Sequence, residues 1–144
     1  MRVLFLFGPS LGALGTREPE LYGTQTLGEV MAGVAERASE LGHETDWRQS
    51  DHEGELVGWL VAAPAEGWEA VVLNPGALTH YSYALRDAIE ACGLPAIEVH
   101  MTNIYGREEF RRHSVISPVC RVTIAGAGAG GYHLAVEALP WITG

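Results

Sequence analysis

The sequence has 144 residues, of which 47% are hydrophobic and 19% are charged, a composition typical of one globular domain with a substantial core. Asp and Glu number 18 against nine basic residues, all of them arginine, so the formal net charge is -9. This balance excludes nucleic acid as the expected partner, because binding to a phosphate backbone depends on clustered Lys and Arg. No run approaches the roughly 20 apolar residues that cross a bilayer. We therefore expect a small-molecule or protein partner and no membrane association.

Residues 3–7 form an apolar run that predicts a buried β-strand. Arg2 before this run gives it some likeness to a signal peptide, but the run ends at a Gly-Pro pair, and its removal would delete the most strand-like segment. Cys92 and Cys120 are too few for a disulfide framework and lack the spacing of a metal site. These features predict a cytoplasmic protein.

Predicted helices and strands alternate along the rest of the chain. Apolar residues recur with the helical period in four segments, residues 26–41, 51–64, 79–92 and 132–139, and Asp51 is the predicted N-cap of the second. Short apolar runs predict five strands, at residues 3–7, 45–49, 70–73, 96–99 and 121–125. This alternation predicts a single α/β domain over residues 1–144, with a doubly wound parallel sheet between two layers of helices.

Residues 8–25 interrupt this alternation with an irregular stretch that is rich in glycine and contains two prolines. Connections in compact domains usually take about 4–6 residues, so a stretch this long is either disordered or functional. It carries Arg17 and Tyr22. A guanidinium beside a phenol stabilises the phenolate, which is the form that can accept a proton.

Polar residues follow the predicted strands, where ligands bind in doubly wound sheets. Asn74 ends the third strand, and His80 lies near the start of the next helix; a helix cap with a solvated histidine is the simpler interpretation of this pair. Glu98 and His100 lie two residues apart on the fourth strand, so their side chains leave the same face. Glu98 can then fix the tautomer and charge of His100, which favours acid–base catalysis.

A metal ion and a phosphate group are two other ligand types that the sequence could suggest. A metal site formed by His80, His100 and Glu98 is disfavoured, because no pair has H-x-x-x-H spacing and the ligands would come from separate loops. The segment GAGAGG, residues 126–131, matches the G-x-G-x-x-G phosphate-binding pattern, but only 13 residues follow, too few for the acidic residue about 20 positions on. We expect these glycines to let the last helix pack closely on the sheet.

The segment GREEFRRHS holds three arginines, Arg107, Arg111 and Arg112. Any of them could supply a second positive charge beside Tyr22 or bind a carboxylate through two hydrogen bonds. Taken singly, each is typical of a surface charge. The residues alone leave these alternatives open.

Five segments, in this order and spacing, resemble the type II 3-dehydroquinate dehydratases of the shikimate pathway: GPSLGALGTREPELYG, RQSDHEGELVGWL, LNPGALTHYSYALRDAI, EVHMTNIYGREEFRRHS and IAGAGAGGYHLA. The resemblance spans nearly the whole chain. It implies a flavodoxin-like five-stranded parallel sheet, a dodecamer built from trimers, and dehydration of 3-dehydroquinate to 3-dehydroshikimate without a cofactor. The other enzyme class for this reaction uses a lysine Schiff base, which a chain without lysine cannot form.

The resemblance also implies roles for individual residues. Tyr22 matches the base that removes the proton at C2, and Arg17 matches the group that stabilises the developing charge. His100 matches the acid that releases the C1 hydroxyl as water, and Glu98 orients it. Substrate-contacting positions are matched by Asn74, His80, Met101, Thr102 and Arg111. Asp87 matches a residue that reaches the site from a neighbouring subunit. The stretch from residue 8 to residue 25 is then a lid that carries the base onto the substrate.

Four positions depart from the family pattern. The family usually has asparagine where Phe7 and Ser10 stand, and smaller or different residues where Tyr81 and Tyr105 stand. These departures motivate a second hypothesis, in which the same chemistry acts on a related substrate such as an amino analogue of dehydroquinate. A third hypothesis is a flavodoxin-like protein that binds an anionic metabolite or nucleotide without turning it over, for which the GAGAGG segment is the best support.

Overall fold

The computed structural model describes residues 1–16 and 18–143. In that part of the chain the strands are β1 (Arg2–Phe7), β2 (Glu44–Gln49), β3 (Ala70–Asn74), β4 (Ala96–His100) and β5 (Val122–Ala125). The α-helices are α1 (Pro19–Tyr22), α2 (Leu27–Glu40), α3 (Glu53–Ala62), α4 (Tyr83–Cys92) and α5 (Gly130–Thr143). Short 3-10 turns cover Leu11–Ala13, Gly76–His80, Ile104–Gly106, Glu109–Arg112 and Ser117–Val119.

The described strands form one parallel sheet in the order β2-β1-β3-β4-β5. The chain runs outward from β1 to β2 and then crosses to β3 on the other side of β1. Such a reversal opens a crevice at the carboxyl ends of the strands, where doubly wound proteins bind ligands. The predicted flavodoxin-like α/β fold is confirmed. No helix of the described residues is long and apolar enough to span a bilayer.

The core lies on both faces of the sheet because successive side chains of a strand point in opposite directions. In β1, Val3, Phe5 and Phe7 pack with apolar residues of α2 and α5. Leu4 and Leu6 of the same strand pack on the other face with residues of α3 and α4. The central strands β1, β3 and β4 are therefore almost wholly buried, which explains their continuous apolar runs.

Three predicted helix starts were wrong. The last helix begins at Gly130, two residues before its predicted start at residue 132. The helix expected from residue 79 begins at Tyr83, because the Ser82 hydroxyl caps it by accepting a hydrogen bond from the backbone N–H of Leu85 at 3.0 Å. His52, not Asp51, is the N-cap of α3. The Asp51 carboxylate instead accepts from the backbone N–H of Ser10 at 3.0 Å. Asp51 therefore anchors the start of the segment after β1.

The described residues of the segment 8–25 include two short helical turns that its sequence does not predict. Leu11–Ala13 forms a 3-10 turn, and Pro19–Tyr22 forms one turn of helix with proline in its first turn, a favoured position. Gly23, at φ 84°, ends this turn in a backbone conformation that side chains with a Cβ rarely adopt. The prediction of an irregular stretch was wrong at these two turns, whereas its role as a lid stays a prediction.

Close packing of α5 on the sheet is confirmed at Gly131. A Cβ atom at this position would lie 2.9 Å from Cγ1 of Val99 and 3.6 Å from Cγ2 of Ile124. The first distance is shorter than side chains tolerate without a shift. Only glycine lets the start of α5 approach β4 and β5 this closely.

Replacement of Gly131 by alanine tests this contact. We expect Gly131→Ala to lower the free energy of unfolding by about 1–3 kcal/mol, because the added methyl group overpacks the helix against β4. Gly130→Ala is the matched control, since a Cβ at Gly130 would meet no atom within 4 Å. Denaturant unfolding of the two variants measures the difference, and equal stabilities would contradict the packing argument.

Candidate active site

A cleft opens at the carboxyl ends of β1, β3 and β4, with about 530 Å³ of empty space including its open mouth. Side chains from four segments line it: the segment after β1, the turn after β3, the end of β4 and the loop after β4. Most of the predicted site residues meet here, namely Tyr22, Asn74, His80, His100, Met101, Thr102 and Arg111. Arg17 lies outside the described residues.

One wall of the cleft holds a buried carboxylate–imidazole pair. Nε2 of His100 lies 2.5 Å from Oε2 of Glu98; His100 is 5% exposed and Glu98 is not exposed at all. The second carboxylate oxygen, Oε1, accepts a hydrogen bond from the Ser117 hydroxyl at 2.5 Å. Burial by itself would raise the pKa of Glu98, but the hydrogen bonds from His100 and Ser117 outweigh burial and hold that pKa below the usual range. The pair can therefore stabilise a positive charge on His100.

His80 lies beside this pair. Its Nδ1–H donates to the backbone carbonyl of His113 at 2.8 Å, and its ring stacks on that of His100 with 6.5 Å between centroids. Burial lowers the pKa of His80, and the charges of His100 and Arg111 lower it further. A neutral imidazole with Nδ1 protonated leaves Nε2 as a hydrogen-bond acceptor. His80 thus lines the cleft instead of being the solvated histidine of the simpler interpretation.

Tyr22 lines another part of the cleft and contacts Arg107. Nη1 of Arg107 donates to the Tyr22 hydroxyl at 2.9 Å and lies 3.5 Å from Oγ1 of Thr102. The guanidinium carbon lies 5.9 Å from the centre of the tyrosine ring. A cation that donates to a phenol oxygen stabilises its phenolate form. Among the three arginines of the segment GREEFRRHS, Arg107 is the residue that contacts Tyr22.

Asn74 connects the cleft to α5. Its Nδ2 donates to the buried hydroxyl of Tyr132 at 2.7 Å, and its Oδ1 accepts from the backbone N–H of Gly76 at 3.2 Å. Burial raises the pKa of Tyr132 far above its usual value, so its phenol stays neutral. Both ends of the Asn74 amide are therefore fixed, which orients the group that the cleft presents.

The remaining arginines differ in position. Arg111 lines the cleft, forms an ion pair with Glu108, and places its guanidinium carbon 4.7 Å from the centre of the Phe110 ring. Arg112 is exposed and is not among the described cleft residues. Arg111 can thus offer a planar cation to an anionic ligand.

Asp87 does not reach the cleft of its own chain. It is exposed on α4, and Tyr83 one turn earlier is 69% exposed on the same helix. Residues four apart lie on one face of a helix, so both side chains point away from the core. Any contact between Asp87 and a substrate would have to involve another copy of the chain.

Three of the four departures from the family pattern lie away from the cleft. Phe7 is buried in the core, with its ring centre 5.2 Å from that of Tyr132. Tyr81 and Tyr105 are 60% and 59% exposed, and neither is among the described lining residues. Ser10 lines the cleft with φ 71°, a left-handed conformation that asparagine adopts more readily than serine.

The two alternative ligand sites gain no support. Among the described residues, no group of three or more His, Cys, Asp and Glu side chains could hold a metal ion. The glycine-rich segment uses its backbone donors internally: Gly126 N–H bonds to the carbonyl of His100 and Gly128 N–H to that of Met101. A phosphate cradle requires such N–H groups to be free. These glycines instead join the end of β4 to the start of α5.

Comparison with known proteins identifies the family. The family model "Dehydroquinase class II" matches residues 1–140. The chain belongs to this family. It is 55% identical to a 3-dehydroquinate dehydratase of Pelotomaculum thermopropionicum, over 100% of the chain and 99% of that protein. A second relative with the same name, from Thermus thermophilus, is 54% identical over 93% of the chain and 90% of its own length.

Solved structures agree with this assignment. A type II dehydroquinase from Butyrivibrio crossotus superposes with a TM-score of 0.94 at 40% identity, over 97% of each chain. The type II dehydroquinase from Propionibacterium acnes gives a TM-score of 0.91 at 46% identity, over 96% of this chain and 94% of that one. The resemblance found in the sequence motifs is thereby confirmed for family and fold.

Proposed function

We propose that this protein is an enzyme that dehydrates 3-dehydroquinate to 3-dehydroshikimate and needs no cofactor. The names of its relatives support the reaction. The observation that carries the proposal is the pairing in one cleft of Tyr22, bonded to Arg107, with His100, backed by the buried Glu98. A base and an acid on one substrate are what the removal of a proton and a hydroxyl group requires.

In the first step, the phenolate of Tyr22 accepts the proton from C2 of the substrate. The electron pair left behind moves onto the neighbouring ketone and forms an enolate. Arg107 stabilises the phenolate before the transfer through its 2.9 Å hydrogen bond. In this scheme Arg17 stabilises the charge that develops during the transfer. Such charge is best stabilised by donors that are already oriented.

In the second step, the enolate reforms the ketone, the new double bond forms between C1 and C2, and the C1 hydroxyl departs with a proton from His100. The products are the conjugated enone and one water molecule. Glu98 holds Nε2 of His100, so Nδ1 is the ring nitrogen left to donate the proton. The carboxylate of Glu98 lies against the positive charge that His100 carries as the proton donor of this step.

The other residues of the cleft bind the substrate in this proposal. Asn74 and Thr102 offer polar groups, His80 offers a neutral acceptor, Met101 an apolar wall, and Arg111 a cation for the substrate carboxylate. The segment 8–25 closes over the substrate as a lid and excludes water from the reacting atoms.

The proposal extends to assembly and location. The protein forms a homo-oligomer, a dodecamer of trimers, in which Asp87 reaches the site of a neighbouring subunit, and it acts in the cytoplasm. The exposure of Asp87 and Tyr83 on one face of α4 supports a contact of that helix with another copy.

The reaction itself is tested with purified protein and 3-dehydroquinate. We expect the ultraviolet absorbance of a conjugated enoate to grow with time, because the product places a double bond next to a carboxylate. Borohydride added with substrate should leave the activity intact, since no lysine is present to form a trapped imine. Absence of the new absorbance, or covalent capture of the substrate by borohydride, would refute the proposal.

A related substrate remains the second candidate, because Ser10 lines the cleft where the family pattern has asparagine. Serine is shorter and lacks the paired donor and acceptor of an amide, so it leaves more room and fewer fixed contacts. The values of kcat/KM for 3-dehydroquinate and for its amino analogue discriminate between the two. A large preference for 3-dehydroquinate rejects the specialised substrate.

A further inference from the structure

The acid side of the cleft depends on a carboxylate that has no contact with solvent. Glu98 lies on the sheet face that packs against α4, beside its register partner Leu73. Its main donors are His100 at Oε2 and Ser117 at Oε1, both at 2.5 Å, and the Ser114 hydroxyl makes a smaller contribution. A carboxylate removed from water is unfavourable unless donors replace its hydration. The groups that donate to Glu98 therefore decide whether it stays ionised.

Ser117 is itself held by neighbouring polar groups. Its backbone N–H donates to Oγ of Ser114 at 3.1 Å, and its hydroxyl oxygen lies 3.4 Å from Oγ1 of Thr123, which donates to it. Thr123 is the register partner of Glu98 across β4 and β5. The Ser117 hydroxyl carries a single proton. Since its oxygen accepts a hydrogen bond from Thr123, that proton is directed to Glu98.

We propose that Ser117 is a positioning residue of the acid step, whose hydroxyl keeps Glu98 ionised and turned toward Nε2 of His100. The kinetic part of this inference rests on the proposed dehydratase function, whereas the structural part does not. Without the Ser117 hydroxyl, His100 and the smaller contribution of Ser114 remain as donors to Glu98, and burial favours the neutral acid. A neutral carboxyl group cannot stabilise an imidazolium ion on His100.

Other ionisable groups face the pair from neighbouring segments, and the pKa values of two of them, Cys120 and His80, are shifted in opposite directions. Burial and the charge of Glu98 raise the pKa of the Cys120 thiol to about 12. Burial lowers the pKa of His80, so that it becomes charged only at a lower pH than an ordinary histidine. Arg111, which acts on His80, stays positive throughout. Because His80 also titrates on the acidic side, the ionisation of Glu98 is followed through the signal of its own carboxyl carbon.

The test is Ser117→Ala, followed by carbon NMR of the Glu98 carboxyl and by the pH profile of kcat. Hydrogen bonds from Ser117 lower the pKa of Glu98, so their loss should raise it. Glu98 must be ionised for the acid step, and activity is lost as the pH falls through its pKa. The acidic limb of kcat should therefore move to higher pH. The loss of one hydrogen bond to a charged group corresponds to a shift of that limb by about 1–2 pH units, and KM should change little.

Two further variants at this position separate the hydrogen bond from the packing. Ser117→Thr keeps the hydroxyl and should restore both the carboxyl titration and the acidic limb. Ser117→Cys keeps the size of the side chain but donates a weak hydrogen bond. The pKa of Glu98 in this variant should lie between its values in the alanine variant and in the wild type. If the Ser117→Ala protein does not fold, the threonine and cysteine variants still show whether the pKa of Glu98 rises when the hydrogen-bond donor at residue 117 becomes weaker. Equal titrations of Glu98 in the wild type and in the cysteine variant would overturn the proposal.

Ser50→Ala is the matched control. Ser50 is a buried serine that donates to a glutamate, Glu55, at 2.7 Å, but it lies after the edge strand β2, three strands from β4. The Ser50→Ala substitution should leave the titration of Glu98 and the acidic limb of kcat unchanged. Identical shifts in both alanine variants would overturn the specific role of Ser117. A shifted Glu98 titration in a protein that never turns over 3-dehydroquinate would refute the proposed function while supporting the hydrogen bond.

Discussion

Tyr22→Phe should reduce kcat by about 1000-fold while KM stays within a few-fold of wild type, because general-base catalysis contributes roughly 100- to 10,000-fold. The hydroxyl that the variant removes accepts the 2.9 Å hydrogen bond from Arg107 and is the proposed proton acceptor. The ring remains, so the packing of the segment around it is preserved. Loss of an interaction made only in the transition state lowers kcat and kcat/KM together. Steady-state kinetics with 3-dehydroquinate measures both constants.

A double variant tests whether Arg107 acts through Tyr22. Arg107→Gln alone should lower kcat, whereas its addition to Tyr22→Phe should cost little more, because the group that it stabilises is already gone. Tyr105→Phe is the control for loss of a tyrosine hydroxyl, since Tyr105 is 59% exposed and is not among the described lining residues of the cleft. An unchanged kcat in Tyr22→Phe would remove this tyrosine from the role of base. If the two substitutions lowered kcat by fully additive free energies, Arg107 would not act through Tyr22.

The fold could be predicted because each strand and helix has its own signature in the sequence. The apolar runs of β1, β3 and β4 are continuous since both faces of these strands are buried. The helical period of α2 places Val30 and Val34 on the buried face. Alternation of such segments leaves few topologies other than a doubly wound parallel sheet.

The errors in the predicted boundaries come from local competition between polar side chains. Asp51 and Ser82 are both good helix caps by residue type. Ser82 caps α4, but Asp51 is bound to the backbone of Ser10, which is 41 residues away in the sequence. A contact of that kind depends on how the segment after β1 folds back over β2. No local pattern in the sequence contains this information.

The same limit applies to the site. The pairing of Glu98 and His100 could be predicted from the sequence, because residues two positions apart on a strand lie on the same face of the sheet. Arg107 and Tyr22, by contrast, are separated by 85 residues, and three arginines of one segment were equally plausible partners. Ser117 was missed altogether, because its hydroxyl reaches Glu98 only through the turn that precedes β5. The signal for it would have been a serine in the connection next to a strand with a buried carboxylate.

Loss of Asp87 should weaken substrate binding if the active site is shared between subunits. Asp87 is exposed on α4 and does not line the cleft of its own chain in the described residues, so it can act there only from a neighbouring copy. Asp87→Ala is expected to raise KM about 10- to 100-fold, the effect of one lost hydrogen bond to a charged group, while the fold of each chain survives. Glu90→Ala removes another exposed carboxylate from the same helix and should leave KM unchanged.

Dilution gives an independent test of the shared site. Activity per chain should fall at protein concentrations low enough to dissociate the oligomer, because each isolated chain then lacks the carboxylate of its neighbour. Light scattering on the same samples reports the particle size alongside the rate. In the Asp87→Ala protein, dissociation should lower the activity less than in the wild type, since the contribution of the neighbour is already absent. A fully active particle of one chain would show that every group needed for catalysis comes from a single cleft.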